Sequence, residues 1–285
     1  MHVVLSIAGS DSSAGAGIQA DLKSIAACGG YAATVLTAVT AQSPGEVRRS
    51  FELPVSLVRA QLETLFDALP VAAVKTGMLA SAAIVAEVAQ ALRQHAPRHF
   101  VLDPVMVSES GHALLDPEAV ESMLHALLPL ASLVTPNRYE AQALTGIEVA
   151  GPEDAERAGR RMLELGCGAV LVKGGHFEHA RAVDVLVTQK GVEHFDAPRL
   201  ASRSTHGTGC TLSAAIATYQ ARGDDLSASI RRAKRYVTEA IRAGLSWDGA
   251  TGPTDHFFYL RRDDVGHWLE ELQVRAVAPS REAQP

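Results

Sequence analysis

Short apolar runs rich in β-branched residues alternate along this chain with longer stretches whose apolar positions recur every three to four residues. The runs at 3–8, 33–40, 71–76, 100–107, 133–136 and 169–174 read as strands. Helical patterns fall near 15–28, 54–69, 80–95, 116–128, 137–145 and 152–165. Later, Leu212, Ala215, Ile216 and Tyr219 mark one buried helix face, and Leu226, Ile230, Ala233, Val237 and Ile241 mark another. Alternation of this kind builds βαβ units, so the fold class is α/β, a mainly parallel central sheet with helices on both faces. Residues 183–188 and 192–196, joined through Gln189, Lys190 and Gly191, read instead as a hairpin, an antiparallel addition at one edge. No linker divides the chain. It is expected to form one domain over 1–275, with a disordered tail at 276–285.

The unusual residues follow the predicted strands. Gly9, Ser10 and Asp11 come after the first, Gln42 after the second and Met78 after the third. Asp103, Pro104 and Val105 follow the fourth, Asn137 the fifth, and Lys173, Gly174 and Gly175 the sixth. An open parallel sheet binds ligands at the C-terminal ends of its strands, so these residues, with the 206–210 loop, are expected on one rim.

His206, Gly207, Thr208, Gly209 and Cys210 lead directly into a buried helix. The first turn of a helix carries unpartnered N–H groups and the positive end of the dipole, and glycines let an anion come close. A thiol placed there is expected to ionise more readily than a free cysteine. Asp103 fits either a magnesium-holding carboxylate or an Asp-Pro turn. Asn137 and Glu140 fit either the orientation of a hydrated magnesium ion or a capping box. Lys173 fits either a neutraliser of phosphate oxygens or a lysine snorkelling before a turn. The stretch Gly15-Ala-Gly-Ile-Gln-Ala20 matches a dinucleotide fingerprint, yet the next strand ends in Thr40-Ala-Gln42 without the acid that ribose requires. The loop at 9–17 is therefore read as a close backbone approach to another small ligand.

Net charge is −6, which argues against nucleic acid as a partner. The basic run Arg231-Arg-Ala-Lys-Arg235 reads as the solvated face of its helix. Three widely spaced cysteines, Cys28, Cys167 and Cys210, form no disulfide framework and fit a reducing compartment. The N-terminus is too quickly polar for a signal peptide, and no apolar run reaches a membrane span, so a cytoplasmic location with no membrane partner is expected.

The ordered segments 8–21, 37–42, 76–79, 101–106, 135–140, 172–176, 205–210 and 252–257 resemble the hydroxymethylpyrimidine and phosphomethylpyrimidine kinases of thiamin synthesis, in the ribokinase-like superfamily. The resemblance covers about residues 3–260. Most sugar and nucleoside kinases of that superfamily carry Asp where this chain has Cys210, which favours the pyrimidine branch. It implies a substrate pocket formed by Gly9, Ala16, Asp21, Gln42, Met78, Val105 and Cys210. It implies an ATP and Mg2+ side formed by Asp103, Asn137, Glu140, Lys173, Gly207, Thr208 and Gly209, with Asp103 and Glu140 toward the metal. Cys210 and Lys173 are the implied catalytic side chains, with Gly207 and Gly209 framing the anion hole, and a homodimer is expected. The alternative is a pyridoxine or pyridoxal kinase, whose ring carries a comparable hydroxymethyl group. A sensor that binds the pyrimidine without catalysis is a further alternative, disfavoured because Lys173, Asn137 and Glu140 are retained. The chain departs from the family at Thr76 and at Glu109, the latter within a flap-like stretch at 107–111 where a lysine is usual.

Overall fold

The computed structural model describes residues 1–106, 117–177, 181–246 and 251–261. The expected tail and the flap-like stretch at 107–111 lie outside these residues. The strands are β1 (Val3–Ser10), β2 (Tyr31–Ser43), β3 (Glu46–Glu52), β4 (Val71–Thr76), β5 (Phe100–Leu102), β6 (Leu133–Val134), β7 (Ala169–Val172), β8 (Arg181–Thr188) and β9 (Gly191–Pro198). The helices are α1 (Gly17–Ala27), α2 (Val55–Ala68), α3 (Ala82–His95), α4 (Pro117–Ser122), α5 (Arg138–Thr145), α6 (Pro152–Glu164), α7 (Thr208–Ala221) and α8 (Leu226–Arg242). Among the described residues one sheet holds all nine strands in the order β3-β2-β1-β4-β5-β6-β7-β8-β9.

Both faces of the sheet are covered, so its central strands are apolar on both sides. On β1, Val3, Leu5 and Ile7 join a core with α2, α3, α5 and α6, while Val4 joins a second core with α1, α7 and α8. The period of two along the strand supplies both cores from one segment. Helix α7 is buried from Thr211 through Ala221. Its alanines at 214, 215 and 217 let it lie close over the sheet, against β1, β4 and β5. That packing fixes its N-terminus above the strand ends.

Four elements differ from the sequence reading. The antiparallel additions occur at both edges, because β3 pairs antiparallel with β2 from Ala38↔Glu52 to Ser43↔Glu46. Its sequence, Glu-Val-Arg-Arg-Ser-Phe-Glu, is almost wholly exposed and shows no alternation, so the ladder alone defines it. Strands β5 and β6 stop short of prolines 104 and 136, which have no N–H to continue a ladder. The helix expected over 116–128 is regular only to Ser122, then widens into a π turn at Met123–Leu127. Pro129 cannot donate to the helical ladder, and the Leu128 N–H reaches back to Met123 O instead.

Candidate active site

The ends of β1, β2, β4, β5, β6 and β7 and the start of α7 surround a cavity of about 950 Å³. Gly9, Ala16, Gln42, Met78 and Val105 line one side. Asn137, Glu140, Asp103 and Lys173 line the other, with Gly207, Thr208, Gly209 and Cys210 between them. The rim predicted from strand ends is therefore a real surface.

One predicted residue does not reach it. Asp21 is absent from the lining and fully buried, bonded through both carboxylate oxygens to Lys75 Nζ at 2.8 Å and by Ser6 Oγ at 2.6 Å. On α1 it faces the sheet rather than the cavity, because Ala16 and Gly17 start the helix one turn before it. It sits beneath the pocket and does not reach the cavity surface that the substrate-contact reading requires. Lys75 is the partner the sequence reading did not use. Burial opposes its charge, but Asp21 more than compensates and holds its pKa above the ordinary value.

The anion end is built on α7. Gly207 is in the left-handed region at φ +82, and a Cβ there would lie 1.8 Å from Gly15 O. Only glycine fits both demands. The Thr208 amide donates to Thr205 O and the Thr211 amide to Gly207 O, which leaves the first-turn amides of Gly209 and Cys210 for a ligand. Lys173 Nζ lies 2.8 Å from Asp103 Oδ1 and 3.8 Å from Glu140 Oε2. Its side chain is only 13% exposed, so it is not a snorkelling lysine. Burial works against its charge, and Asp103 with Glu140 outweighs that and raises its pKa. Asp103 also accepts from Thr135 Oγ1 at 3.1 Å and Ser213 Oγ at 3.2 Å.

Asn137 and Glu140 form the capping box. Asn137 Oδ1 accepts from the Tyr139 and Glu140 amides, and Glu140 Oε2 accepts from Asn137 N at 2.7 Å. Burial raises the Glu140 carboxyl to about 7, against the pull of Lys173 and with some help from Asp103. Among the described residues no cluster of three His, Cys, Asp or Glu side chains could hold a metal. Two carboxylates on one rim still suit magnesium, which takes one or two carboxylates and completes its shell with phosphate and water oxygens. The donor set fits a metal that arrives with a polyphosphate.

Cys210 is where the pocket and the anion end meet. Its thiol does not ionise readily. Burial pushes it up to about 11, against the pull of Lys75. Desolvation, with the nearby carboxylates of Asp21 and Asp103, holds the thiol above its ordinary value, opposite to the direction a helix N-terminus alone suggests.

On the pocket side, Gly9 and Met78 are in direct contact, since a Cβ on Gly9 would lie 2.3 Å from Met78 Cε. Ser12 Oγ donates to Gln42 O and accepts from Gln42 N, both at 2.8 Å, which pins Gln42 at the cavity mouth. Asp11 accepts from the amides of Ser13, Gly15 and Ala16 and lies 2.9 Å from His206 Nε2. Burial favours its protonation, but the bonds from His206, Ser13 and Ala16 prevail and lower its pKa to about 2. A folded-state pKa below the unfolded value contributes stability above that unfolded value and loses it as pH falls toward the folded one. The Tm advantage of the native protein over Asp11→Asn should therefore be fully present at about pH 6 and shrink from about pH 4 to pH 2. Paired thermal melts check this, and a constant difference across that range would contradict it.

The sequence reading also missed Lys234. The run 231–235 is solvated at Arg231 and Arg235, but Lys234 is buried, paired with Asp184 at 2.7 Å, and lines the cavity. Its spacing from Val237, Thr238 and Ile241, which also line the cavity, was the available signal.

Residues 11–255 match the family model described as phosphomethylpyrimidine kinase. The chain is 49% identical over 260 residues to a hydroxymethylpyrimidine/phosphomethylpyrimidine kinase of Streptomyces coelicolor, covering 90% of this chain and 95% of that one. It is 46% identical over 262 residues to the thiamine biosynthesis bifunctional protein ThiED of Geobacter sulfurreducens, covering 92% of this chain and about half, 53%, of that longer protein. Among solved structures, an ADP complex of Bacillus subtilis pyridoxal kinase superposes with TM-score 0.86 at 36% identity, covering 92% of this chain and all of that one.

Proposed function

The chain belongs to the phosphomethylpyrimidine kinase family, and from that premise we propose that its cavity transfers the terminal phosphoryl group of ATP to 4-amino-5-hydroxymethyl-2-methylpyrimidine and then to the resulting monophosphate. The product is the pyrimidine diphosphate used in thiamin biosynthesis. The observation that carries this reading is the shared cavity, in which an apolar side at Gly9 and Met78 adjoins an anion end at Lys173 and the α7 N-terminus.

Phosphoryl transfer depends on positioning and charge neutralisation more than on covalent chemistry. Gln42 offers a planar amide to the amino and ring-nitrogen edge of the aminopyrimidine, and Met78 packs on the ring face. Lys173 neutralises phosphate oxygens. The Gly209 and Cys210 amides hold charge developing on the transferred group. Asp103 and Glu140 would hold Mg2+, which supplies further neutralisation when bound with the nucleotide. Thr208 contributes its side chain, since its amide is already bonded to Thr205.

The proposal includes a cytoplasmic homodimer. The β3 edge, which no described residue covers, offers a surface for it, where Val39 and Phe51 pair across β2 and β3 and are 44% and 61% exposed. Pyridoxine is the second reading, supported by the likeness to a pyridoxal kinase structure. ADP release that requires both Mg2+ and the pyrimidine alcohol tests the first reading, and its loss on chelation tests the metal.

Cys210 is the proposed proton acceptor for the alcohol. The monophosphate is already mostly ionised near neutral pH and needs no base. With its thiol at about 11, the first step should quicken steadily with rising pH while the second stays nearly flat. Cys210→Ser should slow the first step by about 10² to 10⁴-fold and the second far less. The two kcat/KM losses in one mutant decide this. Equal losses with parallel pH profiles would leave Cys210 as a wall of the pocket and remove the base.

A further inference from the structure

Two loops meet at the junction of the pocket and the anion end. One follows β1 and runs through residues 11–16, beside the ring-binding side. The other, residues 203–207, leads into α7. We infer that Asp11 and His206 are positioning residues, a lock that joins these loops so that the acceptor oxygen and the transferred phosphoryl group are held in register.

Independent contacts place the loops against each other. His206 Nε2 lies 2.9 Å from Asp11 Oδ2, and both side chains are buried. Asp11 is an acceptor when ionised, so the His206 Nε2–H is the donor. The same carboxylate gathers the amides of Ser13 at 2.8 Å, Gly15 at 3.1 Å and Ala16 at 2.8 Å, and Ser13 Oγ at 2.8 Å. It therefore shapes its own loop and grips the other. A Cβ on Gly15 would lie 2.2 Å from His206 Cδ2, and a Cβ on Gly207 would lie 1.8 Å from Gly15 O. The backbones approach as closely as glycine allows. Behind them, the His206 amide donates to Gly252 O at 3.1 Å, which backs the lock with the segment at 252–257.

The chemistry explains the need for a link. The acceptor is held by Ala16 on the first loop together with Gly9, Gln42 and Met78, whereas the phosphoryl group is held by the start of α7. Neither set can align the reacting atoms alone. Transfer requires those atoms within about 3–3.5 Å and in line, and a displacement of about 1 Å can cost on the order of 10²-fold in rate. The Asp11–His206 bond is a side-chain link that crosses between the two loops.

The inference rests on the kinase reading, so the test carries a readout that does not depend on turnover. Kinetics of His206→Leu, His206→Gln, Asp11→Asn and the His206→Leu/Asp11→Asn double variant are compared with the native protein. His206→Leu should lower kcat by about 10 to 10²-fold, with KM for ATP and for the pyrimidine each within about threefold. His206→Gln, which keeps a donor of similar reach, should restore most of the rate. The double variant should lose less than the product of the two single losses, because both changes break the Asp11–His206 bond, while Asp11→Asn also loosens the amides it gathers at 13–16. Hydrogen exchange should quicken together in residues 13–16 and 207–210 of His206→Leu and far less in His206→Gln. If the leucine variant does not fold, the glutamine and asparagine variants carry the same comparison. A loss confined to one KM, equal losses in the leucine and glutamine variants, additive losses, or faster exchange in only one loop would overturn the lock. Absence of turnover by the native protein would instead strike the kinase reading and leave the exchange result to judge the lock.

Discussion

Lys173→Ala is expected to lower kcat by on the order of 10²-fold, with little change in pyrimidine affinity. The backbone at this position is held independently, since Lys173 N donates to Pro136 O at 2.8 Å and bridges to Asn137. Truncation therefore removes a charge without moving β7. The lost ammonium stands between Asp103 and Glu140, and a Cβ on Gly209 would lie 3.3 Å from it. It is thus placed under the α7 N-terminus, where phosphate charge would gather. Two buried carboxylates are left facing each other, so weaker ATP binding is expected as well. Steady-state kinetics with each substrate varied in turn check this. A change in ATP KM with kcat intact would contradict the assignment of Lys173 to the developing charge.

The second large effect falls on stability. Lys75→Met leaves the Asp21 carboxylate fully buried, with the Ser6 hydroxyl still donating to it at 2.6 Å. Breaking one side of a buried ion pair typically costs about 3–5 kcal/mol, a large share of a domain's stability. Replacing both residues, as Lys75→Met with Asp21→Leu, should recover most of that loss, because the desolvation of both charges disappears together. Urea unfolding of the three variants measures it. Equal instability of the single and double variants would show that the pair does more than offset its own burial. Pyrimidine KM in the folded double variant separates support from contact. It should change little if Asp21 stands beneath the pocket, and rise sharply if Asp21 touches the ring.

The rim was legible because strand-end placement is a property of the βαβ unit itself. Apolar runs located the strands, and whatever interrupted them had to fall at one end of the sheet. Strand-end placement brings Asp103, Asn137, Lys173 and the α7 loop together. It could not place Asp21 or Lys75, because a lysine and an aspartate separated by 54 positions give no sign of mutual burial. Lys234 was hidden in a basic run whose ends, Arg231 and Arg235, are exposed. Strand β3 was invisible because exposed edge strands carry no alternation to detect. The Cys210 reading differs in direction, since sequence supplies the helix terminus and not the desolvation and the carboxylates around a half-buried thiol.

The central claim is that one cavity serves both an alcohol and its phosphate. The most direct measurement follows the products of ATP, Mg2+ and hydroxymethylpyrimidine over time by phosphorus NMR, with pyridoxine present as a competitor. The account predicts pyrimidine monophosphate first, its conversion to the diphosphate without any added enzyme, and a smaller share of pyridoxine consumed. Preferential phosphorylation of pyridoxine, or a monophosphate that accumulates without further conversion, would contradict it.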